Sequence, residues 1–395
     1  MRILCVTPWM PNSETDGRYN FILHSLRALQ ELGHDVRVLL TRPWMPAAVA
    51  RVSPHWTHAA IAPKLSTPQA PLSIDLVRYP SIPRYWLSGY ADAFYRIGVA
   101  AHIRQIIRAH RIDIVHAHAE RAGICAVDVA KHCRVASAVT LHGISTAPQL
   151  LDSAAKRARL RRCLYEADRV VLVGEPLRSY FGPLAGREDH FRIVPNGFYV
   201  HGVSRSDRSW TTTRRFVSVA NLEEGKGIDL TLTALASLDA LGLTDWTFDI
   251  VGEGAERATL MALAAQLRLG TRVRFHGALA HDAAMRQMSE CDVFVLPSYR
   301  EAFGVAYAEA MACGLLAIGV ERQGPSAFIS NGQTGVLVAP RDVVSLSEAM
   351  KNTIDDPVET ARIAGAGRSH VEAEFTWRRH AEKLAVVYRE ALNDT

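Results

Sequence analysis

Two acids eight positions apart, Glu301 and Glu309, stand in the stretch YREAFGVAYAEAMACGLLAIG (299–319), which is otherwise rich in alanine, methionine, glycine and aromatics. Helix-favouring residues run from Val305 to Cys313, with Gly304 before them and Gly314 where a left-handed cap would end a helix. Apolar residues surround that helix, so it is expected to be buried on all sides. Glu309 then needs hydrogen-bond donors, because an unpaired buried carboxylate costs several kcal/mol. A neighbouring loop or a ligand could supply them, and the residues alone leave both open.

Other residues able to do chemistry fall in short loops: DGR (16–18), HAHAE (116–120), LHG (141–143), PNG (195–197), NLEEGKG (221–227) and GEG (252–254). Each is weak by itself. Gly252 and Gly254 lack the third glycine of a dinucleotide fingerprint, EEGKG lacks Walker spacing, and histidines such as His116 and His118 are more often packed than catalytic. No Asp-x-Asp pair, His-x-x-x-His or Cys-x-x-Cys supplies a metal site.

The elements that must hold these loops alternate. RILCVTP, DVRVLL, IDIVHAHA, ASAVTLHG, DRVVLVG and FRIVPNG read as strands separated by helical patterns such as NFILHSLRALQELG and RAGICAVDVAKHC. After a polar stretch the alternation restarts with FVSVANL, WTFDIVGEG, RVRFHGAL, CDVFVLPS and LLAIGV. This predicts two α/β units with parallel sheets, divided near residues 200–214, as 395 residues would suggest. Residues 42–90, with many Pro, Trp and Tyr, break the rhythm and read as an insertion over a sheet edge or cleft. Ligands of doubly wound sheets bind at the carboxyl ends of strands, where the loops above lie.

Hydrophobic content of 48% and charged content of 22% are those of an ordinary globular protein. Six cysteines without paired spacing fit reduced cytosolic thiols, the first apolar run fits a strand better than a signal segment, and no run of about 18 apolar residues suggests a spanning helix. Charge is uneven: residues 1–205 hold 26 Lys and Arg against 15 Asp and Glu, and residues 206–395 hold 19 against 25. A basic first half suits an anionic partner, whether lipid, phosphorylated acceptor or nucleic acid. SAAKRARLRRCLYEADR (153–169) reads as a helix whose cations could lie on anionic lipid or simply face solvent.

In this order the loops resemble those of the retaining glycosyltransferases of family 4, with the GT-B fold. The resemblance spans nearly the whole chain: a glycine loop after the first strand, LHG, VPNG, GKGIDLTLTALA, IVGEGAERATLMALAAQL, VRFHGAL and PSYREAFGVAYAEAMACG, whose Glu301 and Glu309 match the family's Glu-x7-Glu signature. It implies two Rossmann-like doubly wound domains facing a central cleft: an acceptor-binding domain (1–205), a nucleotide-sugar-binding domain (206–372), and a C-terminal helix (373–395) packing back on the first. The resemblance further implies that Glu309 binds the donor ribose and Glu301 the transferred sugar, with the amides of Phe303, Gly304 and Val305 facing phosphate or sugar oxygens. Lys226 would neutralise the departing diphosphate, Gly17 would allow close approach, and His142 would donate to sugar hydroxyls. Asn221 stands where members often carry an arginine, and Arg18 replaces a second glycine, making Arg18 a candidate for the missing charge.

The implied reaction is a retaining, metal-independent sugar transfer without a resident cofactor. The donor is a nucleotide sugar, UDP-linked first and GDP-mannose second, and the acceptor is a glycan or lipid-linked molecule of cell-surface polysaccharide synthesis. The expected place is the cytoplasm, or the inner face of the plasma membrane. A sugar-nucleotide epimerase and a non-catalytic sugar-nucleotide or polysaccharide binder are the rival readings, and no loop motif supports nucleic-acid binding.

Overall fold

The computed structural model describes residues 1–13, 19–44, 61, 72–80, 88–143, 153–198, 210 and 214–394, with side chains of 88–92 left out. They form two units: residues 1–173, 177–197 and 377–395 make the first, and 174–176 with 198–376 the second. The expected boundary after residue 205 lies outside the described residues.

In the first unit β-branched and leucine-rich runs become seven parallel strands: β1 (Arg2–Thr7), β2 (Asp35–Trp44), β3 (Ser73–Pro80), β4 (Ile114–His118), β5 (Ala136–Leu141), β6 (Arg169–Leu172) and β7 (Phe191–Ile193). Their order is β3-β2-β1-β4-β5-β6-β7, so the winding reverses between β1 and β4. Around them lie α1 (Asn20–Glu31), α2 (Ser88–His110), α3 (Glu120–Cys133), α4 (Ala154–Glu166) and α5 (Pro176–Ala185). The stretch read as an insertion contains the edge strand β3 and the start of α2. The alternating exposed and buried residues of SIDLVRYP make too weak an apolar run to stand out.

The second unit repeats the scheme with β8 (Arg214–Val219), β9 (Trp246–Val251), β10 (Val273–Gly277), β11 (Val293–Val295), β12 (Leu316–Val320) and β13 (Val336–Val338), in order β10-β9-β8-β11-β12-β13. Its helices are α6 (Ile228–Ala240), α7 (Arg257–Gln266), α8 (His281–Ser289), α9 (Val305–Ala312), α10 (Val343–Asp355) and α11 (Pro357–Glu374). Here the winding reverses between β8 and β11.

The chain then returns to the first unit as α12 (Trp377–Asn393). Trp377, Ala381, Leu384, Tyr388 and Ala391 recur at three- or four-residue spacing and join α1 and strands β1 and β2 in one core. On the polar side Glu390 accepts from Arg169 (3.1 Å) and Arg192 (2.7 Å).

Candidate active site

In the second unit the loops after β8 and β11, the two strands flanking the reversal, are stitched together. The Gly225 carbonyl accepts from the Tyr299 amide (3.0 Å) and the Ser298 hydroxyl (3.1 Å). The next residue, Lys226, puts Nζ 2.8 Å from Glu301 Oε2, both side chains three-quarters or more buried. Gly227 then caps α6 at φ +73°, where a Cβ would sit 2.3 Å from the Pro297 carbonyl oxygen, so only glycine lets the lysine loop lie this close. Glu301 is held through its own backbone: its amide donates to Gln323 Oε1 (3.0 Å) and its carbonyl accepts from Gly324 (2.8 Å).

Helix α9 begins at Gly304, φ +89°. Among the described residues the amides of Phe303, Gly304 and Val305 meet no acceptor, leaving a row of donors at a positive helix end. Phe303 anchors them by packing on Phe328 (5.3 Å) and Phe375 (6.2 Å). Contrary to expectation, α9 is not buried all round: Tyr307, Ala308, Ala310, Met311 and Ala312 face the core, while Val305, Ala306 and Glu309 form a half-open stripe. The stripe follows from i, i+4 spacing, which puts Val305 and Glu309 on one side. Glu309 Oε1 accepts from Nε2 of His281 (2.9 Å), and that contact raises the histidine's pKa above its ordinary value. A donor from the protein was one of the two open readings, yet nothing in the sequence singled out His281.

Asn221 is not the end of a strand: β8 closes at Val219, and Asn221 is exposed, its carbonyl accepting from the Glu223 amide (2.9 Å). Gly17 and Arg18 lie outside the described residues. A different cation stands beside the lysine loop. The stem of Arg300 covers Gly225, where an added Cβ would meet its Cδ at 3.1 Å, and its guanidinium meets no carboxylate or hydrogen-bond acceptor among the described residues.

In the first unit the strand ends carry imidazoles. His118 closes β4 opposite Thr140 of β5, and His142 follows β5. His118 Nδ1 and His142 Nε2 lie 2.8 Å apart, while His116 is satisfied between Thr140 Oγ1 (2.7 Å) and the Tyr388 hydroxyl (2.6 Å) of α12. Burial, the largest cause, takes His118 to about 3 and holds His116 and His142 well below the ordinary histidine value. Neutral rings impose a rule: one of the paired nitrogens donates and the other accepts, so the outer nitrogens, His118 Nε2 and His142 Nδ1, carry one proton and one lone pair between them. Both outer atoms are buried without a partner among the described residues. His142 is packed by Phe21 (4.7 Å between ring centres) and Trp9 (5.8 Å), so it cannot swing away to satisfy itself.

Two doubly wound parallel-sheet units, each with polar groups at the carboxyl ends of its strands, define the GT-B class. Two solved structures share the fold at TM-score 0.73: sucrose-phosphate synthase of Thermosynechococcus elongatus, 20% identical over 100% of both chains, and Anabaena HepE in complex with UDP, 18% identical over 98% of this chain and 100% of that one. The model described as Glycosyltransferase Family 4 matches residues 18–200, and that described as Glycosyl transferases group 1 matches residues 204–370. The chain belongs to the family 4 glycosyltransferases. Glycogen synthase of Mycobacterium tuberculosis is 28% identical over 98% of this chain and 94% of its own length. A GDP-mannose-dependent phosphatidylinositol monomannoside mannosyltransferase of Corynebacterium glutamicum is 27% identical over 71% of this chain and 77% of its own. The protein is therefore a glycosyltransferase that acts on nucleotide sugars, and neither the epimerase nor the non-catalytic binder is favoured.

Proposed function

We propose that the protein is a retaining, metal-independent hexosyltransferase that moves a sugar from a UDP-sugar, or in second place GDP-mannose, to a glycan or lipid-linked acceptor in cell-envelope or exopolysaccharide synthesis. The observation that carries this reading is Lys226 bonded to Glu301 next to the unfilled amides of Phe303, Gly304 and Val305. A diphosphate is the ligand that a lysine and a helix N-terminus jointly suit.

On binding, the diphosphate takes Lys226 and the amides, releasing Glu301 to accept from hydroxyls of the transferred sugar. Glu309 accepts from the ribose hydroxyls, and Gly304 lets the ligand approach. Asn221, exposed, contributes at most a neutral hydrogen bond, and Gly17 with Arg18 would line the same diphosphate. His142, with Nδ1 unpartnered, meets a sugar hydroxyl as donor or acceptor according to its tautomer. In the reaction the anomeric carbon–oxygen bond breaks with its electron pair on the leaving phosphate. The acceptor hydroxyl attacks from the same face, and its proton passes to a phosphate oxygen. Stabilising that phosphate and positioning the acceptor supply the catalysis.

The similar HepE was solved with UDP, and the similar corynebacterial mannosyltransferase is GDP-mannose-dependent, so sugars of both nucleotides are proposed as donors. Thermal-shift measurements against UDP-, GDP- and ADP-sugars separate them, because a ligand of the folded state raises the melting temperature. A shift with none of these nucleotides would sink the donor-site assignment. We place the enzyme in the cytoplasm or at the inner membrane face, with its basic first half toward anionic lipid. Among the described residues no helix is long and apolar enough to cross a membrane.

A further inference from the structure

Helices α2, α3 and α4 of the first unit form a trough of about 350 Å³, within the range of small-molecule sites. Helical spacing makes it. Arg96, Ala100 and Arg104 lie four apart along α2, Arg159, Arg162, Cys163 and Glu166 share one face of α4, and Ile124, Val127 and Asp128 of α3 complete the lining.

Its charges divide into two sets. Arg162 is already engaged, with Glu166 at 3.1 Å and Asp128 at 3.9 Å, and Lys131 (2.8 Å) and His132 (3.9 Å) also contact these acids. Arg96, Arg104 and Arg159 meet no carboxylate and no hydrogen-bond acceptor among the described residues. Three guanidiniums without a carboxylate partner around one trough suit an oxyanion, since their forked donors match phosphate geometry. The rim adds a second chemistry: Ile97 is 74% exposed and Phe94, three residues before it on α2, is 48% exposed. An apolar rim beside these arginines matches a ligand whose phosphate is joined to hydrocarbon, not a free ion.

We propose that this trough seats the phosphate of an anionic phospholipid, with Arg96, Arg104 and Arg159 on the phosphate oxygens and Ile97 and Phe94 against the acyl region. The site is distinct from the strand-end loops that carry His118 and His142. It also redraws the basic-helix reading of residues 153–169, because Arg162 is spent on acids and the decisive cations come from two helices. The inference builds on the membrane side of the proposed function, but its test needs no donor or acceptor, so a failure of the transfer reading leaves it intact.

The test is flotation of the full chain with vesicles of phosphatidylglycerol and phosphatidylcholine, against phosphatidylcholine alone, at low salt. The expected result is binding to the anionic vesicles only, lost as salt shortens the screening length to about 10 Å near 0.1 M. Changing Arg96, Arg104 and Arg159 together to Gln should weaken partitioning on the order of 100-fold, and Arg104→Gln alone about fivefold. A charge-matched control, Arg108, Arg111 and Arg134 to Gln, lies outside the trough and should retain most of the binding. Equal flotation with neutral vesicles, wild-type binding by the folded triple variant, or an equal loss in the control would each overturn the site. Calorimetric binding of inorganic phosphate with no response to vesicles would overturn the lipid assignment.

Discussion

At the scale of single residues the proposed donor half of the site is a set of pairings within the protein. Lys226 holds Glu301 and His281 holds Glu309, so each carboxylate already has a donor that a ligand must share or displace. Glu309→Ala is expected to weaken nucleotide-sugar binding and Glu301→Gln to lower turnover, each by about 1.5–3 kcal/mol, the worth of a charged hydrogen bond. Titration and steady-state kinetics check both; wild-type constants in folded variants would remove these residues from the site. Arg300, whose stem lies on Gly225, is expected to act as the second phosphate cation that Asn221 cannot be. Arg300→Gln should then raise the donor KM several-fold, and adding Asn221→Arg should restore part of the loss. No change in KM would leave Arg300 a surface residue.

At the scale of elements, α12 closes over the imidazole row of the first unit. His380 on α12 contacts the Pro195 carbonyl (2.7 Å) and Ser25 (2.8 Å), and its pKa is lowered to about 4, chiefly by burial. His118, at about 3, and His116 and His142, also depressed, share that behaviour. In the unfolded chain each binds a proton near pH 6.5. Stability is therefore full above about 6.5 and declines as pH falls through the window toward 4 and 3, each histidine contributing at most about 1.4 kcal/mol per pH unit. Calorimetry between pH 7.5 and 4.5 should show the fall, and His380→Gln should make it shallower; an unchanged slope in that variant would contradict the assignment. His281, on α8, has the opposite sign. Its raised pKa makes the Glu309 contact fully stabilising below about 6.5, with loss as pH rises through the raised value. His281→Gln should lower the melting temperature at pH 6 more than at pH 9.

At the scale of the whole molecule, activity should survive EDTA, because Lys226 and the α9 amides can receive the diphosphate. Loss of turnover restored by magnesium would overturn that. An α-linked donor should yield an α-linked product; a β-anomer by NMR coupling would contradict retention. The second unit, residues 174–176 and 198–376, holds every described residue proposed to meet the nucleotide, while His142 belongs to the first. Substitutions in the α9 loop should therefore move donor affinity, and those at His142 should move turnover more than affinity for UDP alone.

The sequence by itself determined the alternation of strands and helices, the two α/β units and the acids of the α9 segment, because these are carried by contiguous residues with a readable period. Glu301, Phe303, Gly304 and Glu309 sit within nine positions, and Gly314, where the sequence put a left-handed cap, has φ +88°. The edge strand β3 escaped because its alternating, half-exposed residues lack an apolar run. Tertiary structure alone decided the partnerships: Lys226 lies 75 residues from Glu301, and His281 lies 28 from Glu309. It also decided that His116 is closed off by Tyr388, 272 residues away, while His142 keeps a buried nitrogen without a partner among the described residues. No local period encodes such pairs. Lys226 meets Glu301 because parallel strands bring their carboxyl-end loops together in sheet order, which differs from chain order at the reversal, and Tyr388 meets His116 because α12 returns to the first unit.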